Sequence, residues 1–86
     1  MKVLIIDDHK IFGEGFASIL ESIKITSVRV FQDPKKALDY LNKFKDIDLV
    51  FTDINMPEFN GFQMCEELRL KHKKIKTIVV EKNDKA

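Results

Sequence analysis

The sequence predicts an α/β fold built on a parallel sheet. Three observations carry this. Short apolar runs (Val3-Leu4-Ile5-Ile6, Leu49-Val50-Phe51-Thr52 and the stretch from Ile75 to Val80) are bounded by turn residues and charge, as buried strands are. Between them lie stretches with apolar residues at helical spacing. The two kinds alternate as β-α-β-α-β-α-β. Strands alternating with helices of this length pair in parallel through right-handed crossovers.

Lys2 to Ile6 reads as the first strand, apolar throughout and therefore central. Asp7-Asp8-His9 is a loop, and a helix follows from Lys10 to Ser22. Its apolar stripe is Ile11, Phe12, Phe16, Ile19, Leu20 and Ile23. Gly13 and Gly15 in its first turns each cost about 1 kcal/mol relative to Ala. They mark either close packing on the sheet or room beside the acidic loop. Thr26 to Phe31 alternates, with Val28 and Val30 opposite Ser27 and Arg29, as an edge strand does. Asp33-Pro34 supplies an N-cap and a proline at the first helical position. The second helix then carries Ala37, Leu38, Leu41 and Phe44 inward and ends near Lys45. Leu49 to Thr52 is a third strand, read as buried on both faces and ending on Asp53. Asn60 can cap a third helix with Phe62, Met64, Cys65 and Leu68 on its inner face. Lys71-His72-Lys73-Lys74 places cations where the helix dipole favours them. Ile75 to Val80 is strand four, and Glu81 to Ala86 is polar and expected to fray.

Length and composition narrow the function. The 86 residues amount to one small domain. A net charge of +1 exerts no bulk pull toward nucleic acid or an anionic membrane. Cys65 is alone, so no internal disulfide can form, which fits a reducing cytoplasm. No apolar run is long enough to span a bilayer, and Met1-Lys2 leads into no signal-peptide core.

The chemistry lies at the strand ends. Asp53 closes the third strand and Asp7-Asp8 close the first, the end at which open α/β sheets place their sites. If the two strands are neighbours, three carboxylates converge. Crowded carboxylates repel, which is relieved by protonating one of them or by binding a cation. A hard divalent ion suits an all-oxygen set. A carboxylate held there can act as a nucleophile toward phosphorus, a reaction that needs mainly positioning and charge neutralisation. The bland alternative is that all three are helix caps and turn residues.

The sequence resembles the receiver domain of two-component response regulators. The resemblance rests on Leu4-Ile5-Ile6-Asp7-Asp8-His9 and on Asp53-Ile54-Asn55-Met56-Pro57 followed by Gly61. It implies a flavodoxin-like sheet of strand order 2-1-3-4 and a cytoplasmic signalling role. It also implies Mg²⁺-dependent transfer of a phosphoryl group from a sensor histidine kinase onto Asp53. Asp7, Asp8, Asp53 and the backbone carbonyl of Asn55 would hold the Mg²⁺, and Met56-Pro57 would shape the loop. Such a domain is a phosphoacceptor, with at most self-phosphorylation and slow loss of its acyl phosphate, and not an enzyme in the usual sense. Asp7-Asp8-His9 with Glu14-Gly15 resembles receivers joined to a DNA-binding output domain, while the domain itself touches no nucleic acid or membrane. His9 reads as a solvent-facing loop residue, and Cys65 as a core one.

The chain also departs from that family. Residues 1–86 are expected to form a receiver domain that stops after strand four, without the fifth βα unit or its signalling lysine. Glu81 stands where the family closes strand four with Ser or Thr, and Lys82 is at best a stand-in for the lysine. These departures favour a second function class, a non-switching interaction or dimerisation module. A haloacid-dehalogenase-like phosphatase would want its D-x-D after the first strand, whereas Asp53-Ile54-Asn55 follows the third. Strand four, Thr77-Ile78-Val79-Val80, would be an uncharged β-branched edge, so a homodimer by strand pairing or domain swapping is expected.

Overall fold

A computed structural model of the chain describes residues 1–23, 27–56 and 59–81; within the first helix the side chains of Lys10 and Ile11 lie outside that description. The elements run β1 (Lys2–Ile6), α1 (Lys10–Ser22), β2 (Ser27–Phe31), α2 (Pro34–Lys43), β3 (Leu49–Asp53), α3 (Gly61–Lys71) and β4 (Lys76–Val80). The four strands form one parallel sheet in the order β2-β1-β3-β4, as the resemblance implied. Thr26, Pro57 and Lys82, and with them the first residue assigned to strand two, half of the Met56-Pro57 loop and the stand-in lysine, fall outside the described residues.

β1 is central and its side chains alternate between two cores. Leu4 and Ile6 face the side covered by α2 and α3, with Ala37, Leu41, Ile47, Val50, Met56, Met64 and Leu68. Val3 and Ile5 face α1, with Ala17 and Leu20. Each large side chain fully buried in this way contributes about 1.5–3 kcal/mol. The helix starts follow the sequence signals. The Asp33 carboxylate accepts a hydrogen bond from the Lys35 N–H at 2.9 Å, with Pro34 at the first helical position. Asn60 and Gln63 form a reciprocal capping box, with bonds of 2.9 and 2.8 Å.

The α1 side is the thinner one. Among the described residues α1 alone covers it, lying over β1 and β2, and Phe16 reaches Phe51 edge-on at 4.9 Å between ring centroids. β3 is accordingly buried on one face, through Val50 and Thr52, while Leu49 and Phe51 are only half-buried; burial on both faces is not realised. For the same reason Phe12, Ile19 and Ile23 of the expected α1 stripe stay exposed, and Gly13 and Ala17 are buried instead. α2 stops at Lys43, short of Lys45, which leaves Phe44 exposed and stacked on Tyr40 at 4.6 Å. In α3 the inner face is Gly61, Met64 and Leu68; Phe62 points outward and Cys65 is half-buried, not core. The glycine alternatives also separate. A Cβ on Gly13 would lie 2.8 Å from Val30 Cγ1, whereas one on Gly15 would meet open space.

Candidate functional site

Parallel pairing sets Ile6 opposite Thr52, so Asp7 and Asp53 leave adjacent strands side by side. Both are buried, with 2% and 3% of their surface exposed, which is costly for carboxylates and so requires a compensating arrangement. The Asp7 N–H donates to the Phe31 carbonyl at 2.9 Å, tying the end of β1 to the end of β2. Its Oδ1 accepts the His9 N–H at 2.8 Å, an Asx turn that leads into α1. The Asp53 Oδ1 lies 3.4 Å from the Asn55 N–H, at the long limit of a hydrogen bond. Asp8 is partly exposed, but its Oδ1 is sequestered; His9 Nδ1 lies 3.0 Å from it, without the geometry of a hydrogen bond.

The structure therefore brings Asp7, Asp8 and Asp53 together, and it adds His9. One donor atom from each of the four lies within 4.8 Å of the others. Beside them a cleft of about 480 Å³ is lined by Asp8, Ile54, Asn55, Met56, Asn60 and Phe62. Asn55 thus borders the same opening, while Met56 turns into the core under it. Gly61 closes the loop from behind: its N–H donates to the Ile54 carbonyl at 3.1 Å. The Ile54 N–H donates to Val80 at 3.1 Å, which places Glu81, exposed, one residue from the loop that carries Asp53.

Sequence reasoning missed two features here. Helical spacing puts Phe62 inward, yet it is 64% exposed at the rim of the cleft; its place directly after the helix's first residue is the available signal. The sequence reads His9 as facing solvent, and most of its side chain does, yet Nδ1 turns toward the carboxylates. A third difference lies away from the site. His72 does not act as a surface cation at the end of α3. It is buried, its Nε2 lies 3.0 Å from Asn42 Oδ1, and burial, with Lys45 and Lys71 nearby, pulls its pKa below the usual value.

The family model for the response regulator receiver domain matches residues 3–86. The chain belongs to that family. This receiver is 31% identical over 85 residues to the transcriptional regulatory protein DegU of Brevibacillus brevis, covering 98% of this chain and 36% of DegU. It is 30% identical over 73 residues to a CheY homologue of Campylobacter jejuni, covering 85% of this chain and 56% of that protein. Among solved structures, a receiver domain protein from Clostridium thermocellum superposes with a TM-score of 0.85 at 25% identity, covering 93% of this chain and 64% of that one. RcsB from Salmonella enterica serovar Typhimurium, bound to the rprA promoter with the phosphomimetic BeF₃⁻, gives 0.85 at 28% identity and covers 98% of this chain and 44% of RcsB. The receiver thus spans less than two thirds of the length of these relatives.

Proposed function

We propose that this receiver takes a phosphoryl group from the phosphohistidine of a sensor kinase onto the Asp53 carboxylate, with Mg²⁺ held by Asp7, Asp8, Asp53 and the Asn55 carbonyl. The observation that carries this reading is the meeting of Asp7, Asp8 and Asp53 at one end of the sheet beside an open cleft. The donor set fits the ion. Carboxylate oxygens suit a hard cation that keeps several waters, and the sequestered Asp8 Oδ1, which has no well-formed hydrogen bond and only the His9 ring 3.0 Å away, is an acceptor a cation would satisfy. When bound, Mg²⁺ neutralises phosphoryl charge.

The chain's own residues do the rest. β3 fixes Asp53 at the sheet end, just before Ile54 and Asn55, which line the cleft, and the Asn55 N–H donates to its carboxylate. A carboxylate oxygen of Asp53 forms the new O–P bond as the donor's N–P bond breaks, and the imidazole leaves with the bonding pair. Asp53 then carries an acyl phosphate, which water removes slowly; no other reaction is ascribed to the chain. The likeness to DegU, a transcriptional regulator, and to DNA-bound RcsB supports a role in which a longer protein joins this receiver to a DNA-binding output domain in the cytoplasm. No described helix is long and apolar enough to cross a membrane.

Glu81 favours a second reading, a non-switching interaction module. It directly follows Val80, whose carbonyl accepts the Ile54 N–H of the Asp53 loop, and a carboxylate carried there would repel an incoming phosphoryl group. Incubation with Mg²⁺ and a small phosphodonor, read by intact mass, separates the two. The proposal expects a phosphate adduct that Asp53→Asn abolishes. No adduct at saturating Mg²⁺ supports the module, and undiminished labelling of Asp53→Asn removes Asp53 from its role.

A further inference from the structure

We infer that His9 is a nitrogen ligand at this cation site, and that it raises the site's affinity for borderline transition ions such as Co²⁺ and Zn²⁺ while adding little for Mg²⁺. The inference rests on the reading of the cluster as a cation site and adds a donor to it. His9 Nδ1 lies 3.0 Å from Asp8 Oδ1, 3.3 Å from Asp7 Oδ1 and 3.8 Å from Asp53 Oδ2. Bonds of about 2.0–2.2 Å from one ion to nitrogen and oxygen place neighbouring donors about 3.0–3.4 Å apart. The two shorter separations fall in that range, and the third needs only a small side-chain adjustment.

The local backbone holds the ring there. The bond from the His9 N–H to Asp7 Oδ1 fixes the residue over the site, in extended geometry at φ −96° and ψ 96°. His9 occupies the N-cap position of α1, yet its side chain makes no capping hydrogen bond, so helix formation does not explain its orientation. Nδ1 turns inward within hydrogen-bond reach of Asp7 Oδ1 at 3.3 Å, and a bound ion would replace the proton shared there.

The chemical consequence is selectivity. Carboxylate, carbonyl and water oxygens suit Mg²⁺, whereas imidazole suits the later divalent ions, whose affinities for mixed nitrogen and oxygen sites rise along the series toward copper. One imidazole beside two or three carboxylates therefore raises affinity for Co²⁺ and Zn²⁺ while adding little for Mg²⁺. An alternative role for the ring is that of a cation, an imidazolium that pairs with the carboxylates and competes with any metal. The two roles predict opposite signs when the ring is removed.

The test is calorimetric titration of the 86-residue chain and of His9→Asn with CoCl₂ and, separately, MgCl₂, with the visible Co²⁺ spectrum recorded alongside. His9 is exposed and caps nothing, and far-ultraviolet circular dichroism checks that the variant is folded. The expected result is a fall in Co²⁺ affinity of at least the ~10–100-fold that loss of even an outer-sphere partner brings. The Co²⁺-to-Mg²⁺ affinity ratio should fall with it, and the Co²⁺ bands should shift as a nitrogen donor is lost. An unaltered ratio, or tighter Co²⁺ binding by His9→Asn, overturns the ligand role and leaves the Mg²⁺ reading standing. Failure of the unsubstituted chain to bind either ion overturns both.

Discussion

Gly61 is packed against the peptide that carries Asp53: a Cβ at Gly61 would lie 2.6 Å from the Asp53 carbonyl oxygen and 2.9 Å from the Ile54 Cα. Both contacts are with backbone, so no side-chain rotation can relieve them. Gly61→Ala is expected to cost about 1–3 kcal/mol in urea denaturation, the range for overpacking a filled site. It should also displace the β3 end and lower labelling of Asp53 by a phosphodonor. Wild-type stability in that variant would show that the approach is looser than described.

Asp8→Ala is expected to fold and to weaken Mg²⁺ binding, because it removes a partly exposed carboxylate whose Oδ1 has no hydrogen bond to lose. Mg²⁺ at 100 times its dissociation constant should raise wild-type stability by about 2.7 kcal/mol. Thermal melts with and without MgCl₂ measure that increment, which should shrink in Asp8→Ala. An equal increment in both proteins would mean that Asp8 is not a principal ligand.

Stability should rise with pH in the window just below 6.5, the ordinary histidine value. Burial first, then Lys45 and Lys71, hold the folded-state pKa of His72 below that value. The unfolded chain therefore binds the proton first as pH falls, and the fold loses stability until the folded pKa is passed. Urea midpoints across that window, for wild type and His72→Gln, isolate the contribution as a difference in slope. Parallel profiles would contradict it.

The 86-residue chain is expected to self-associate. Among the described residues β4 hydrogen-bonds to β3 alone, and Ile78 is exposed on it beside the half-covered Phe51 face. Apolar area left in water there forgoes about 25 cal/mol per Å², and an open β-branched edge offers a template for a second copy. Light scattering over a concentration series decides this; a monomeric mass up to high micromolar concentration would refute it.

Much of this was legible in the sequence because it was local. The Asp33-Pro34 and Asn60 starts follow from short-range hydrogen bonding, and the strand ends at Asp7 and Asp53 from apolar runs that stop on charge. What was not legible depends on what lies across the sheet. Helical spacing marks Ile19, Phe44 and Phe62 as inward candidates, but the area available to cover them is a tertiary quantity, and all three are exposed. The inward turn of His9 Nδ1 depends on the Asx turn at Asp7 and on Asp53, which is forty-four positions away. His72 carries no local mark of burial, because Asn42 reaches it from another helix.

The central place of β1 bears on how the chain is made. The first strand of this sheet gains its partners on both edges only from later strands, β2 across α1 and then β3 across α2. No hairpin can shorten that search, since every pairing is parallel. A growing chain thus carries Val3 to Ile6 with one edge open until Asp53 has been added, even after β2 has covered the other, and this apolar strand is exposed to wrong partners meanwhile. The two halves of the acidic site meet at that same moment, so the charges of Asp7 and Asp8 ride at the tip of the waiting strand and help to keep it in water.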